Sequence, residues 1–322
     1  MGFPTPIGLF VFNRPELTEI VFKAIARMEP EQLFIIADGA RSSEEELKCR
    51  RVREIVGKVD WKCDVHTDFA SENLGCGRRV SSGYNWVFSQ VEEAIFLEDD
   101  TLPDPSFFGF CQSLLERYRH DTRIMQISGN NFQFGQSRTP YSYYFSRYPQ
   151  CWGWALWRRA WNLYDYKMRS WPAFKSAGLL SSLSEDPEEV KYWRRVFDRT
   201  YDNPDTWDFQ WVYAMMSQGG LSVNPNVNLV TNIGFGHPDA VHTKEVTNLS
   251  NIPLVTIREL THPEFVLCHR DADRYTYEHV YKPKPSPLKE KLCNKHWYGA
   301  LVRSLPIVGP MWTRWRAWRK KQ

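Results

Sequence analysis

Glu98-Asp99-Asp100 sets three carboxylates side by side, directly after the apolar run Ala94-Ile95-Phe96-Leu97. A short apolar run of this kind, bounded on its far side by Pro103, predicts a buried strand of a parallel sheet. In open α/β sheets ligands bind at the carboxyl ends of strands, so the acids stand where a ligand is expected. Three adjacent negative charges repel one another, and a hard cation relieves them. Mg2+ and Mn2+ suit such oxygen donors and typically combine one or two carboxylates with phosphate oxygens. The alternative is a solvated acidic turn. Other groups with chemical potential are spread along the chain. Asp38 follows an apolar run, and Arg78 and Arg79 follow the glycine-bearing loop Asn73-Leu74-Gly75-Cys76-Gly77. Two arginines at a helix start suit a pyrophosphate, by charge and by free backbone N–H groups, or form an exposed basic turn. Asp208 stands at the start of a predicted helix, and His242 lies in a late loop.

The elements that position these groups alternate. Ile7 to Phe12 predicts a first buried strand, broken by Asn13-Arg14-Pro15. Apolar residues at Leu17, Ile20, Val21, Ala24, Ile25 and Met28 have helical spacing. Leu33 to Ala37 predicts a second strand, and Cys63 to His66 a third, with a helix between them that opens on Glu44, Glu45 and Glu46. Strand–helix alternation implies βαβ units and a parallel sheet. A helix over 106–118 follows the acids, then strands over 124–129 and 141–145. Cys151-Trp152-Gly153-Trp154-Ala155-Leu156-Trp157 places a glycine between tryptophans. That pattern fits either a backbone approached by a flat ligand or an aromatic core cluster. Residues 173–204 read as a helical insertion, and the sequence turns Lys/Pro-rich from Lys282 to Pro287.

The composition is that of a soluble globular protein, apart from an aromatic fraction of 15% with 14 tryptophans. Arg314, Arg316, Arg319, Lys320 and Lys321 sit in the last twelve residues. Removing those five charges from the net +3 leaves −2, so charge gives nucleic-acid binding little support. Trp312, Trp315 and Trp318 recur every third residue among them, which fits an interfacial membrane anchor on anionic lipid, a helix packed on the domain, or a disordered basic tail. Seven cysteines without paired spacing fit reduced thiols and a cytoplasmic setting, peripheral at the inner face of a membrane if the tail binds lipid. No run of apolar residues reaches the length of a signal core or a span.

With these motifs in order, the chain resembles nucleotide-sugar-dependent glycosyltransferases of the GT-A fold. In particular it resembles the N-acetylglucosaminyltransferase that initiates complex N-glycans and its bacterial relatives. The likeness runs from about Pro6 to His242 and rests on Asn13-Arg14-Pro15, Asp38, Glu98-Asp99-Asp100 with Thr101-Leu102-Pro103, Gly153-Trp154, and Trp207-Asp208. It implies an α/β, Rossmann-like, mostly parallel sheet flanked by helices, with a helical insertion and a basic C-terminal extension. The GT-A domain would take residues 1–281, with a nucleotide-binding part over about 1–103 and an acceptor-side part over about 104–281. Residues 282–322 would be linker and tail. The resemblance implies a UDP-sugar donor, a glycan or glycoconjugate acceptor, and Mn2+ or Mg2+. Asp100 would ligate the metal, with His242 a second candidate. Glu98 and Asp99 would hold ribose hydroxyls or metal-bound water, and Asp38 would hold uracil. Asn13, Arg14, Arg78, Arg79 and Trp154 would also serve the donor, and Asp208 would be the general base of an inverting transfer. Phe209 departs from the close eukaryotic relatives, which have a second Asp there, so specificity does not carry over. A sugar nucleotidyltransferase is the rival among enzymes, although the glycine-rich Arg/Lys phosphate loop expected of one is missing at the N-terminus. A non-catalytic carbohydrate- or nucleotide-sugar-binding protein is the rival outside them.

Overall fold

The computed structural model describes residues 2–282, and those up to Val280 form one compact unit. The chain runs β1 (Ile7–Val11), α1 (Pro15–Ala26), β2 (Gln32–Ala37), α2 (Ser43–Val56), β3 (Asp64–Phe69), α3 (Cys76–Phe88) and β4 (Glu93–Glu98). It continues with β5 (Thr101–Pro103), α4 (Ser106–Tyr118), β6 (Ile124–Ser128), β7 (Tyr143–Ser146), β8 (Trp154–Trp157), α5 (Arg158–Trp161) and α6 (Trp171–Ser176). Then come α7 (Pro187–Asp202), α8 (Asp208–Ser217), β9 (Leu221–Pro225), β10 (Val230–Asn232) and α9 (Arg270–Thr276).

One eight-stranded sheet has the order β3-β2-β1-β4-β8-β6-β9-β7, in which β7 and β8 run against the other strands. Strands β1 and β4 read as unbroken apolar runs because both of their faces are covered. Ile7, Leu9 and Val11 pack with α1, α2 and α4, whereas Phe10 and Phe96 point to α3, α5 and α8. Strand β3 is an edge strand with alternating exposure, which is why its sequence carries so weak an apolar signal. It begins at Asp64 and extends to Phe69, beyond the predicted Cys63–His66.

Strand order reverses between β1 and β4: the chain goes from β1 outward to β2 and β3, then returns to the other side of β1. A crevice opens at the carboxyl ends of strands at such a switch point. Pro103 does not simply close the acidic strand. β4 stops at Glu98, Asp99-Asp100 form a turn, and Thr101–Pro103 pair antiparallel with β10 in a separate two-stranded ribbon. The helical insertion holds α6, a 3-10 turn over Leu179–Ser182, and α7. Asp186 caps α7 by accepting from Glu188 N, Pro187 fills the first turn, and Trp193 and Phe197 are buried. Among the described residues no helix is long and apolar enough to cross a membrane. The Trp-rich tail and the Lys/Pro segment after Lys282 lie outside the described residues.

Candidate active site

A cavity of about 550 Å3 opens at the switch point, lined by the loop after β1, the end of β2, the start of α3, the acidic turn, the start of α8 and the segment after β10. The acidic turn is locked by its own backbone. Glu98 N donates to Thr101 Oγ1 (2.8 Å), and that hydroxyl donates back to Glu98 O (3.1 Å). Ile233 N donates to Asp100 O (2.8 Å), which lays the segment after β10 over the carboxylates. Gly234 is demanded there: a Cβ would lie 2.3 Å from Asp100 Oδ2 and 2.8 Å from Arg14 Nη1. Lys48 Nζ on Asp239, at 2.7 and 2.8 Å, ties the same segment to α2.

Arg14 spans two of the three acids. Its Nη1 donates to Asp100 Oδ2 (2.8 Å), Nη2 donates to Asp99 Oδ1, and Nε approaches Asp99 Oδ2 at 3.4 Å. Burial opposes the guanidinium's charge, but Asp99 and Asp100 outweigh it and raise the Arg14 pKa above its ordinary value. Glu98 has no such partner. Burial, then Asp100 and Asp99 beside it, push its carboxyl up to about 8. Burial also raises Asp99, with Arg14 pulling the other way. Burial and like charge therefore favour the protonated form of Glu98.

Asp208 reaches the same cavity from the far half of the chain. Trp207 stacks on Trp154 (centroids 5.5 Å apart) and Trp211 Nε1 donates to Gln126 Oε1 (2.6 Å), which fixes the start of α8. Asp208 Oδ1 and Asp100 Oδ1 are both buried and without a hydrogen-bond partner. A buried acceptor left unmade costs about 1–3 kcal/mol, and more when charged, so two in one cavity point to a ligand that satisfies them.

The predicted site residues divide. Asn13, Arg14, Asp38, Arg79, Glu98, Asp99, Asp100, Asp208 and His242 all line the cavity. Arg78 does not: it is exposed and outside the lining. Arg79 lines the cavity but is committed inward, donating from Nε to Ala37 O (3.1 Å) and from Nη1 to Asp68 Oδ2 (2.9 Å). Trp154 is also a correction. It is buried beneath the sheet with its Nε1 on Tyr84 OH (2.8 Å), because its place on β8 turns it into the aromatic core. The close approach marked by Gly153 (φ 72°) is to Val230 and Leu97 in the core. Asp38 holds a loop. Oδ1 accepts from Gly39 N and Leu74 N (both 2.9 Å), and Oδ2 accepts from Asn73 Nδ2 and Gly75 N (both 3.1 Å). Four donors fill that carboxylate, so the fold uses it to shape the entry to α3.

The sequence pattern left other groups in and behind the cavity wall unmarked. Glu45 is buried behind Asn13, accepting from its Nδ2 (2.7 Å), although it reads as one more acid in the first turn of a charged helix. Cys76 and Cys151 line the cavity, and burial, with the Asp208 and Glu98 carboxylates nearby, raises the Cys151 thiol. The one advance signal for the covering segment was Ile233-Gly234-Phe235-Gly236, where glycine permits the backbone to press on Asp100.

The fit of a divalent cation is mixed in source but consistent in chemistry. Among the described residues no three His, Cys, Asp or Glu side chains gather as a ligand set, and His242 stands exposed at the mouth. Asp100 Oδ1 is a single free carboxylate oxygen, which suits an ion that takes its remaining ligands from phosphates and water.

Fold and cavity together define an α/β protein with a Rossmann-like, mostly parallel sheet and an acidic site at its switch point. No family model matches the chain, and no curated protein matches it. Among solved structures it is similar to a UDP-glucose pyrophosphorylase complexed with UDP-glucose, at 12% identity and TM-score 0.26, over 44% of this chain and 62% of that one. It is also similar to HddC from Yersinia pseudotuberculosis, at 8% identity and TM-score 0.30, over 48% of this chain and 77% of that one. The chain thus spans less than two thirds of the pyrophosphorylase.

Proposed function

We propose that this chain is an inverting glycosyltransferase that moves a sugar from a UDP-sugar to a hydroxyl of a glycan or glycoconjugate acceptor. The observation that carries this reading is the pair of unpartnered oxygens, Asp100 Oδ1 and Asp208 Oδ1, brought into one cavity from opposite halves of the chain. Asp100 would hold Mn2+ or Mg2+, and such an ion, when bound, neutralises charge on a departing nucleoside diphosphate. Asp208 accepts the acceptor's proton as that oxygen bonds to the anomeric carbon and the bond to the diphosphate breaks. Glu98, whose protonated form the cavity favours, would face a donor hydroxyl or phosphate oxygen.

A second reading, a nucleotidyltransferase that forms or pyrophosphorolyses the sugar nucleotide, draws on the same two oxygens, both serving the cation. One experiment separates the two. A panel of UDP-sugars and GDP-mannose is incubated with the protein and Mn2+, with and without pyrophosphate. Release of UDP or GDP without pyrophosphate supports transfer, through slow donor hydrolysis. UTP or GTP formed only with pyrophosphate supports the nucleotidyltransferase. UDP binding by calorimetry with neither product supports a binding protein.

A further inference from the structure

We infer that Arg14 is a resident counter-ion, which occupies the carboxylates that a divalent cation would otherwise take, so that the cation enters only with a nucleoside diphosphate carrying its own oxygen ligands. The inference rests on the metal–nucleotide reading of the cavity and adds an order of binding to it.

Both oxygens of Asp99 face the Arg14 guanidinium, and the backbone N–H of Phe12 adds a further bond to that carboxylate. Asp99 is thus committed chiefly to Arg14. Asp100 gives Oδ2 to Arg14 and keeps Oδ1 free. The covering segment closes on the same pair, since a Cβ at Gly234 would lie 2.3 Å from Oδ2 and 2.8 Å from Arg14 Nη1. The side chains of Arg14, Asp99 and Asp100 are 15%, 3% and 6% exposed, so water screens the guanidinium's charge poorly. A bare divalent ion thus meets one monodentate oxygen beside a fixed positive charge, too little to strip its hydration. With a diphosphate bound, the negative charge and the missing ligands arrive together, and the repulsion from Arg14 turns into attraction for the phosphates.

The test is Mn2+ binding to the full chain by calorimetry and by the Mn2+ paramagnetic resonance signal, with and without UDP. The parent should bind Mn2+ with UDP and only weakly without it. Arg14→Gln should tighten nucleotide-free Mn2+ binding by about tenfold or more, and Mn2+ should raise its Tm. Arg14→Lys keeps a charge and should stay near the parent. Unchanged nucleotide-free binding in a folded Arg14→Gln protein would overturn the inference, as would tight Mn2+ binding by the parent alone. Asp99→Asn decides the matter if Arg14→Gln does not fold. It should keep Mn2+–UDP binding to within about tenfold, whereas a loss as complete as that of Asp100→Asn would make Asp99 a ligand and defeat the argument. Failure of the parent to bind Mn2+–UDP would sink the functional reading instead, and a gain of bare Mn2+ binding in Arg14→Gln would still uphold the counter-ion.

Discussion

Glu98→Gln tests the electrostatics of the cavity directly, because glutamine matches the protonated acid in shape and cannot ionise. Burial and the neighbouring Asp100 and Asp99 carboxylates raise Glu98 from an ordinary 4.5 to about 8. The folded state then holds this proton more tightly than the unfolded chain does. The contribution of Glu98 to stability is therefore whole below about pH 4.5 and is lost as pH rises through about 8. At about 1.4 kcal/mol for each tenfold change in proton affinity, the full effect would approach about 5 kcal/mol. Glu98 is half-buried and opens on a wet cavity, so screening reduces the expected effect to about 1–2 kcal/mol. In thermal unfolding with chelator and no nucleotide, parent and Glu98→Gln should melt together near pH 5. By pH 9 the variant should melt about 2–3 °C higher. A difference in Tm that stays constant from pH 5 to 9 would refute the raised pKa, and a lower Tm for the variant at pH 9 would refute the like-charge cluster itself.

Asp208→Asn should lower transfer by about a hundredfold or more while Mn2+–UDP affinity and Tm hold; full activity in that variant would remove Asp208 as the base. Asp38→Ala strips the acceptor from three backbone N–H groups and Asn73 Nδ2. It should cost about 2–4 kcal/mol in urea unfolding, and a neutral effect would mean that the loop does not depend on this carboxylate. Gly234→Ala forces a methyl against Asp100 Oδ2 and Arg14. It should weaken Mn2+–UDP binding more than it lowers Tm, and unaltered affinity would show that the covering segment yields freely.

Local composition alone determined much of this protein. Both-face burial makes β1, β2 and β4 continuous apolar runs, and helical spacing with acidic first turns marks α1 and α2, so the βαβ order and the acids at a strand end were legible directly. The edge strand β3 was legible only in part, because a half-exposed strand carries little apolar signal. What each side chain faces was decided by tertiary structure, since orientation depends on partners far away in sequence. Asp38 and Arg79 look like ligand groups, yet one is filled by the loop at 73–75 and the other by Ala37 and Asp68. Trp154 looks like a ligand platform, yet strand alternation on β8 turns it into the core. Arg14 sits 85 residues before Asp99, and no spacing rule foretells that its guanidinium lies across two acids. Asp208 lies still farther along the chain, and only the packing of Trp207 and Trp211 under the sheet carries its carboxylate to the cavity of Asp100. The sequence supplied the charges; long-range packing decided which remain free to meet a ligand, because a carboxylate's chemistry depends on the donors that surround it.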